Sequence, residues 1–585
     1  MTYKNRMQNL YRHAARITRA SLTSAAKHRG RSLAPVAALS SAVVALIGMP
    51  ARAAFTSPAE GASFAVATEN ADATKAAIAV MQSGGNAIDG AIAAALALGV
   101  TAPSSSGLGG GGFALVYSAK DHKVTALDFR EVSAAKSSNE DLIGRTKAGA
   151  SIGVPGEPAG LEWLSVHYAK NSLAQDAAPA AALATQGFGV SQHLGDAIAM
   201  QRTALATSPL AALYAPGGAA IAFGQTIRNP ALGKTIARFG AEGAKPFYSG
   251  DIAKQIVAAA AQAGGRLEAS DLAGYAARER APLTRTFGAR TVSTMPAPSA
   301  GGLMQLELLS LYGADSTSSL HDIGFGSSQY FHMVAEGMRG AVADRARLAG
   351  DPDVEPQVNA AFDRALEPAQ MKARLARIDP RKTHATAEFK THEEGTTHLV
   401  VTDAEGNVVS LTTTVNDPFG ARVTAGDTGI VLNNQLNDFS LPADVAGFGV
   451  IGLGPNRPRG GARPVSSMAP TIVLENGVPI VALGGSGGRR IATATTQALI
   501  GRLVYGLDAS TCVSSPRIYT QGTELFIEPM IAEDVQVGLA ARGESVKDEP
   551  FVKSGVQMVT WDRAGGQVTI RAASDPRKHG FSAAW

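Results

Sequence analysis

Four pairs of short β-prone runs, each pair joined by a turn, constrain the fold more than any other feature of the chain. Phe113–Ser118 and Val124–Phe129 flank Ala119-Lys120-Asp121-His122-Lys123, and Leu399–Thr402 and Val408–Thr414 flank Asp403-Ala404-Glu405-Gly406-Asn407. Thr471–Glu475 and Val478–Leu483 flank Asn476-Gly477, and Val556–Trp561 and Gln567–Arg571 surround Arg563-Ala564-Gly565-Gly566. β-Branched residues at a period near two suit strands, and Gly or Asn supplies the positive φ of a tight hairpin turn. Between the hairpins, helical periodicity and capping residues predict helices over 72–82, 89–100, 158–168, 191–202, 252–263, 302–312, 329–348, 368–376 and 489–504. A further strand is expected at Gly429–Leu432, whereas the Ala-rich stretch 174–185 has no decisive period. Hairpins interspersed with helices give an α+β fold of antiparallel sheets covered by helices, not a parallel βαβ sheet.

The second hairpin opens on Gly395-Thr396-Thr397-His398. Scission before Thr396 would place a hydroxyl and a free amine on one residue. An α-amine has a pKa of roughly 7.7, so it can take the proton of a hydroxyl that is otherwise a poor nucleophile. The polar, Gly-ended stretch 383–395 suits a segment that must move after such a cut.

Composition narrows the class. A net charge of +4 on 585 residues leaves no basic stripe for nucleic acid. Much of the positive charge precedes Leu33, where an apolar run to Met49 and then Pro50-Ala51-Arg52-Ala53-Ala54 begin. That order is an export signal over residues 1–53, so a periplasmic or secreted protein is expected. Pro35 and Ser40-Ser41 interrupt a run already short of the roughly 20 residues a spanning helix needs. Cys512 is the only cysteine, which excludes an internal disulfide; it reads as a small buried residue near a helix end.

Three motif readings compete with the Thr396 reading. Gly107–Gly112 fits G-x-G-x-x-G by letter, but a helix precedes it and a strand follows, the reverse of a dinucleotide site. His392 and His398 are six apart, not the four of a zinc helix, so no metal site is expected. Gly484-Gly485-Ser486-Gly487-Gly488 is the serious rival. It follows a strand and precedes a helix, as a serine-hydrolase elbow does, with Asp534 or Asp548 and His579 available downstream. The same segment also reads as an anion site, since the amides of Gly487 and Gly488 stand at a helix start.

Taken in order, Gly84–Asp89, Gly107–Phe113, Asp128-Phe129-Arg130-Glu131, Gly395–His398, Asn433–Ser440, Pro464–Met468 and Ala573–Arg577 resemble the γ-glutamyltranspeptidases. These are autoprocessing members of the N-terminal-nucleophile hydrolase superfamily. The resemblance implies a four-layer αββα sandwich of two antiparallel sheets. It implies a precursor cut between Gly395 and Thr396 into a large piece, 54–395, and a small one, 396–585, that stay together as a heterodimer. Thr396 would be the nucleophile, Thr414 its orienting partner, and Gly487 and Gly488 the oxyanion hole. The substrate α-carboxylate would meet Arg130, Ser466 and Ser467, and its amino group Asp438, Asn416 and Gln435. The implied reaction passes the γ-glutamyl group of glutathione or a similar amide to water, an amino acid or a dipeptide, without cofactor. Two departures bear on specificity: the segment between Ser440 and Pro455 is short for an active-site lid, and Arg489 stands where Ser or Thr is usual. A glutaryl or cephalosporin acylase of the same family is therefore the alternative, with a serine hydrolase built on Ser486 behind it.

Overall fold

The period-two runs become strands of two seven-stranded sheets in the computed structural model, which describes residues 57–138, 148–315, 318–384, 387, 395–445, 447–450, 452–549 and 554–585. The expected export signal, and most of the stretch 383–395, lie outside the described residues. In chain order the strands of the two sheets are β1 (Ala59–Gly61), β2 (Ala65–Thr68), β3 (Gly111–Ser118), β4 (Lys123–Phe129), β5 (Arg278–Arg280), β6 (Leu283–Phe287) and β7 (Arg290–Thr294). They continue with β8 (Gly395–Thr402), β9 (Val408–Asn416), β10 (Thr471–Glu475), β11 (Val478–Ser486), β12 (Gly555–Ala564), β13 (Gln567–Ser574) and β14 (Phe581–Ala584). One sheet runs β1-β13-β12-β11-β10-β7-β6 and the other β14-β2-β8-β9-β3-β4-β5, with every pairing antiparallel. All four expected hairpins are present.

Alternation along each strand builds the layers. In β8, Leu399 and Val401 face one way and pack with Val66, Val116 and Leu411 beneath the helices α1 (Ala71–Gln82), α2 (Ala87–Thr101) and α3 (Leu173–Gln186). Val400 faces the other way and joins Ala65, Phe113 and Leu115 against Ile472, Ala482, Val559 and Ala572 of the second sheet. The far face of that sheet, Val473, Val481, Leu483 and Met558, packs under α4 (Gly301–Tyr312), α5 (Ser328–Leu348) and α6 (Arg490–Leu503). Three apolar seams between four layers make the αββα sandwich. Each fully buried Val or Leu contributes roughly 1.5–3 kcal/mol, so these seams dominate the fold's stability.

Small residues let α2 sit inside the structure, and every one of its residues is buried. Its start is tied down twice. The Asn86 side chain accepts from the amides of Ile88 and Asp89 while Asp89 accepts from Asn86 N, and Ala87 N donates to Asp403 in the β8–β9 turn at 2.9 Å. Two expectations need correction. Residues 174–185 are helical, within α3, where Gln175 Oε1 accepts from Ser172 N at 3.0 Å and anchors the first turn. Gly429–Leu432 is not a strand. Turns at Gly426 and Gly429, both at positive φ, leave only an isolated bridge between Thr424 and Val431.

Candidate active site

The hairpin β8–β9 pairs residue for residue from Thr402–Val408 to Thr397–Thr413 and then slips, so that Gly395 meets Asn416. Thr414 and Val415 thus stand opposite Thr396 alone, a β-bulge at the end of the ladder. Such bulges bend the strand and re-aim a side chain. Here the Thr414 hydroxyl turns onto the Gly395 carbonyl, to which it donates, and it accepts from Asn416 N at 2.9 Å. Thr396 Oγ1 lies 2.8 Å from the same carbonyl oxygen and 3.2 Å from Thr414 Oγ1. Two buried hydroxyls therefore converge on one peptide carbonyl, that of the bond before Thr396. A Cβ at Gly395 would come within 2.5 Å of Asn416 O and 2.9 Å of Ser104 O, so the approach requires glycine.

Thr396 shares the inter-sheet face with His398, whose ring lies against Gly484 of β11 and accepts or donates a 2.8 Å bond with Thr412. From Gly484 the strand leads through Ser486 to Gly487 and Gly488, at φ of 112° and 60°. Both are buried, and neither amide donates a hydrogen bond to any described residue. An unpaired buried amide costs free energy unless a reacting oxygen uses it, which suits a pair of donors for developing negative charge.

The residues expected to hold a carboxylate and an amine gather one hydrogen bond at a time from Thr414. Asn416 Nδ2 donates to Asn434 O at 3.1 Å; the next residue, Gln435, donates to Asp438 Oδ2 at 2.6 Å. Arg130, 1% exposed, donates from Nη2 to the same Asp438 oxygen at 2.6 Å and to Val465 O at 3.0 Å, and from Nε to Pro464 O at 3.2 Å. Ser466 and Ser467 follow directly; Ser467 Oγ and Gln435 Oε1 are buried without a hydrogen bond to any described residue. Arg130 and Asp438, read from sequence as serving opposite ends of a ligand, are thus an ion pair with each other. A guanidinium has donors for both a partner carboxylate and a second one.

Some contributors were not singled out from sequence. Asn433 bridges Gly109 O and Gly153 O, at 2.8 and 2.9 Å, and accepts from Gln435 N. Asn456 donates to Asp438 O at 2.8 Å and accepts from Val465 N, joining two of the three hydrogen-bond partners of Arg130. Its position in a Gly-rich loop carries no signal. Glu131, wholly buried beside Arg130, has its pKa raised to about 8, chiefly by desolvation, which the Arg130 charge only partly offsets. Glu157 is raised to about 7 by the same cause, although Thr413 donates to it.

The rival elbow does not assemble. Ser486 is a fully buried strand residue paired with Gly555, whereas Asp534, Asp548 and His579 are all exposed. His398 is wholly buried, its ring is engaged with Thr412, and burial pushes its pKa down to about 3; its supposed partner His392 lies outside the described residues. Among the described residues, His332, Glu336 and Glu544 are the one group placed as metal ligands could be. Arg339 fills that cluster, bonding Glu336 at 2.6 Å and Glu544 at 2.5 Å, so it is an ion-pair network.

The chain matches the family described as Gamma-glutamyltranspeptidase over residues 73–585. It is 34% identical to Glutathione hydrolase 2 of Arabidopsis thaliana over 551 residues, covering 88% of this chain and 93% of the relative. It is 32% identical to the glutathione hydrolase proenzyme of Escherichia coli, with coverage of 88% and 90%. Among solved structures, the cephalosporin acylase from Bacillus halodurans superposes with a TM-score of 0.79 over 92% of this chain and 98% of that one, at 24% identity. That last likeness is one of fold.

Proposed function

The chain belongs to the γ-glutamyltranspeptidase family, and on that premise we propose that it is a self-cleaving glutathione hydrolase and γ-glutamyl transferase with Thr396 as nucleophile. The observation that carries the proposal is the pair of hydroxyls, Thr396 and Thr414, on the Gly395 carbonyl. In the precursor, Thr396 Oγ1 attacks the carbonyl carbon of Gly395 while the Thr414 hydroxyl stabilises the charge on its oxygen. The amide nitrogen leaves as the Thr396 amine, and water then opens the resulting ester. Each sheet interleaves strands from both sides of the cut: β2 pairs β8, β3 pairs β9, and β1 pairs β13. These ladders would hold the two pieces together as one heterodimer.

In the mature enzyme the Thr396 amine accepts the proton of its own hydroxyl, which attacks the γ-amide carbonyl of glutathione. The amides of Gly487 and Gly488 receive the oxyanion; loss of one such donor in other enzymes costs on the order of 10²–10³ in rate. The cysteinylglycine amine leaves with the proton, and water or an amino-acid or peptide amine resolves the γ-glutamyl ester. Arg130 with Ser466 and Ser467 would hold the α-carboxylate. Asp438, Gln435 and Asn416 would hold the α-ammonium, and the carboxylate of Asp438 is what favours a glutamyl over a glutaryl group. We further propose that residues 1–53 direct export and are removed.

On a denaturing gel the protein should run as two fragments. Prorating 60.0 kDa over 585 residues puts 54–395 at roughly 35 kDa and 396–585 at roughly 20 kDa, the smaller starting at Thr396. A single uncut band, or a small fragment with another N-terminus, would remove the mechanism. Faster turnover of glutaryl than of γ-glutamyl p-nitroanilide would reassign the substrate to the acylase class.

A further inference from the structure

Strand β2 ends at Thr68, which pairs with Leu399, so the backbone edge of β8 at Thr396 has no strand beside it. The chain's last strand, β14, pairs with the other edge of β2, Phe581 opposite Thr68. That return brings Lys578, three residues before β14, around the end of β2. Its ammonium donates to the carbonyl of Thr396 at 3.3 Å and lies 3.5 Å from Glu69, the residue after β2. Lys578 is 3% exposed, and its aliphatic chain runs past Gly555, where a Cβ would sit 3.2 Å from Cγ and Cδ. A lysine this deeply buried is rare unless it is paired. The pairing here includes the backbone of the nucleophile itself.

We propose that Lys578 is a positioning residue for Thr396: it fixes the Thr396 carbonyl and, once the chain is cut, keeps the new amine of that residue in its neutral, proton-accepting form. The inference rests on the proposed nucleophile. Backbone bond lengths hold N and O of one residue within about 4 Å, which puts the amine no more than roughly 7 Å from the ammonium. A cation at that range favours the neutral amine. With an effective dielectric of about 20, a unit charge at that range lowers the amine pKa by on the order of one unit or more, and Glu69, whose own pKa burial raises, opposes it only in part. The other charged groups nearby do not replace it. Asp575 faces Glu69 but is already bonded to Arg517 at 2.6 Å and Arg577 at 3.1 Å. His579 is exposed, and His193, within range of Lys578, has its pKa pushed down to about 3, mainly by desolvation.

The test compares Lys578→Gln, which can still donate to the carbonyl but carries no charge, with Lys578→Arg, which keeps both. Each full-length variant is followed for cutting before Thr396 and for the pH profile of kcat/KM with γ-glutamyl-p-nitroanilide, whose acid limb reports the free amine. The Gln variant should be cut and its acid limb should move up by about one pH unit, because loss of the cation raises the amine pKa. The Arg variant should keep the parent limb. Cutting by the Arg but not by the Gln variant would support the first half of the assignment, since the charge as well as the donor would then be needed to fix the Thr396 carbonyl. A Gln variant that is cut and keeps the parent limb overturns it, as does failure of both variants to be cut. If the unsubstituted protein yields no fragment beginning at Thr396, the proposed nucleophile itself falls, whatever the variants do.

Discussion

Replacing Thr414 by Ala removes one atom with two jobs. Its hydroxyl donates to the Gly395 carbonyl and accepts from Asn416 N at 2.9 Å. Loss of the first bond withdraws a preorganised donor from the oxygen on which charge develops during scission. Removing a single donor of that kind costs on the order of 10²–10³ in rate, or roughly 2.7–4 kcal/mol of barrier. Loss of the second leaves a buried amide unpaired at a residue held at φ 78°, which costs about 1–3 kcal/mol of stability. Thr414→Ala should therefore accumulate as a folded, uncut precursor that melts somewhat below the parent. Thr414→Ser, which keeps the hydroxyl, should still be cut, and much faster than Thr414→Ala. The assay is a time course of the small fragment on a denaturing gel, begun from freshly purified precursor. If Ala and Thr proteins are cut at the same rate, the second hydroxyl is a bystander and the role of the bulge is wrong.

Other substitutions test neighbouring parts of the same reasoning. Gly395→Ala places a methyl 2.5 Å from Asn416 O, so the bulge must open and cutting should fall at least a hundredfold on the gel. Ser486→Ala should still be cut and still hydrolyse γ-glutamyl-p-nitroanilide within a few-fold of the parent; abolition of both would restore the serine elbow. Glu131→Gln probes burial of charge. Because its folded pKa of about 8 lies above the ordinary 4.5, the native state binds the extra proton, and stability falls as pH rises from about 4.5 to about 8. The Gln variant should lack that loss and gain on the order of a few kcal/mol over the parent at pH 9 relative to pH 5, read from denaturant melts. Equal pH dependence in both proteins would show that Glu131 ionises freely.

The hairpins were legible because both halves of each lie within 17 residues of sequence and carry their own turn. Strands without those marks escaped. Arg278–Arg280, Leu283–Phe287 and Arg290–Thr294 are short and rich in Arg and Thr with few apolar residues; the first two are the end strands of their sheets and stay partly exposed, and the third lies next to such an end. Ala59–Gly61 and Phe581–Ala584 are short and small-residued. Each takes its place only by pairing across about 510 residues, Ala59 with Ala572 and Phe581 with Thr68. No local pattern encodes such a pairing. Helix α2 was readable as a helix, and its alanine and glycine leave room for the close approach that buries it.

The site divides along the same line, and the division says what kind of information a motif holds. Gly395-Thr396 and the Gly487-Gly488 pair are written locally, because a close carbonyl approach and two positive φ values restrict which residues can stand there. The bulge that aims Thr414 is different. A run of three threonines, Thr412-Thr413-Thr414, reads as an unbroken strand, and the slip accompanies a turn of Asn416 to positive φ opposite Gly395. Lys578 is further still from local encoding, since it reaches Thr396 across 182 residues through the placing of β14 beside β2. The nucleophile's identity is thus a property of the strand that carries it. Its alignment belongs to the neighbouring strand, and its electrostatic setting to the chain's far end. Substitutions in β14 that leave the site untouched in sequence, such as Phe581→Pro, should therefore displace Lys578. They should move the acid limb of kcat/KM in the same direction as Lys578→Gln, and a shift of the opposite sign would break the link between the closing strand and the nucleophile.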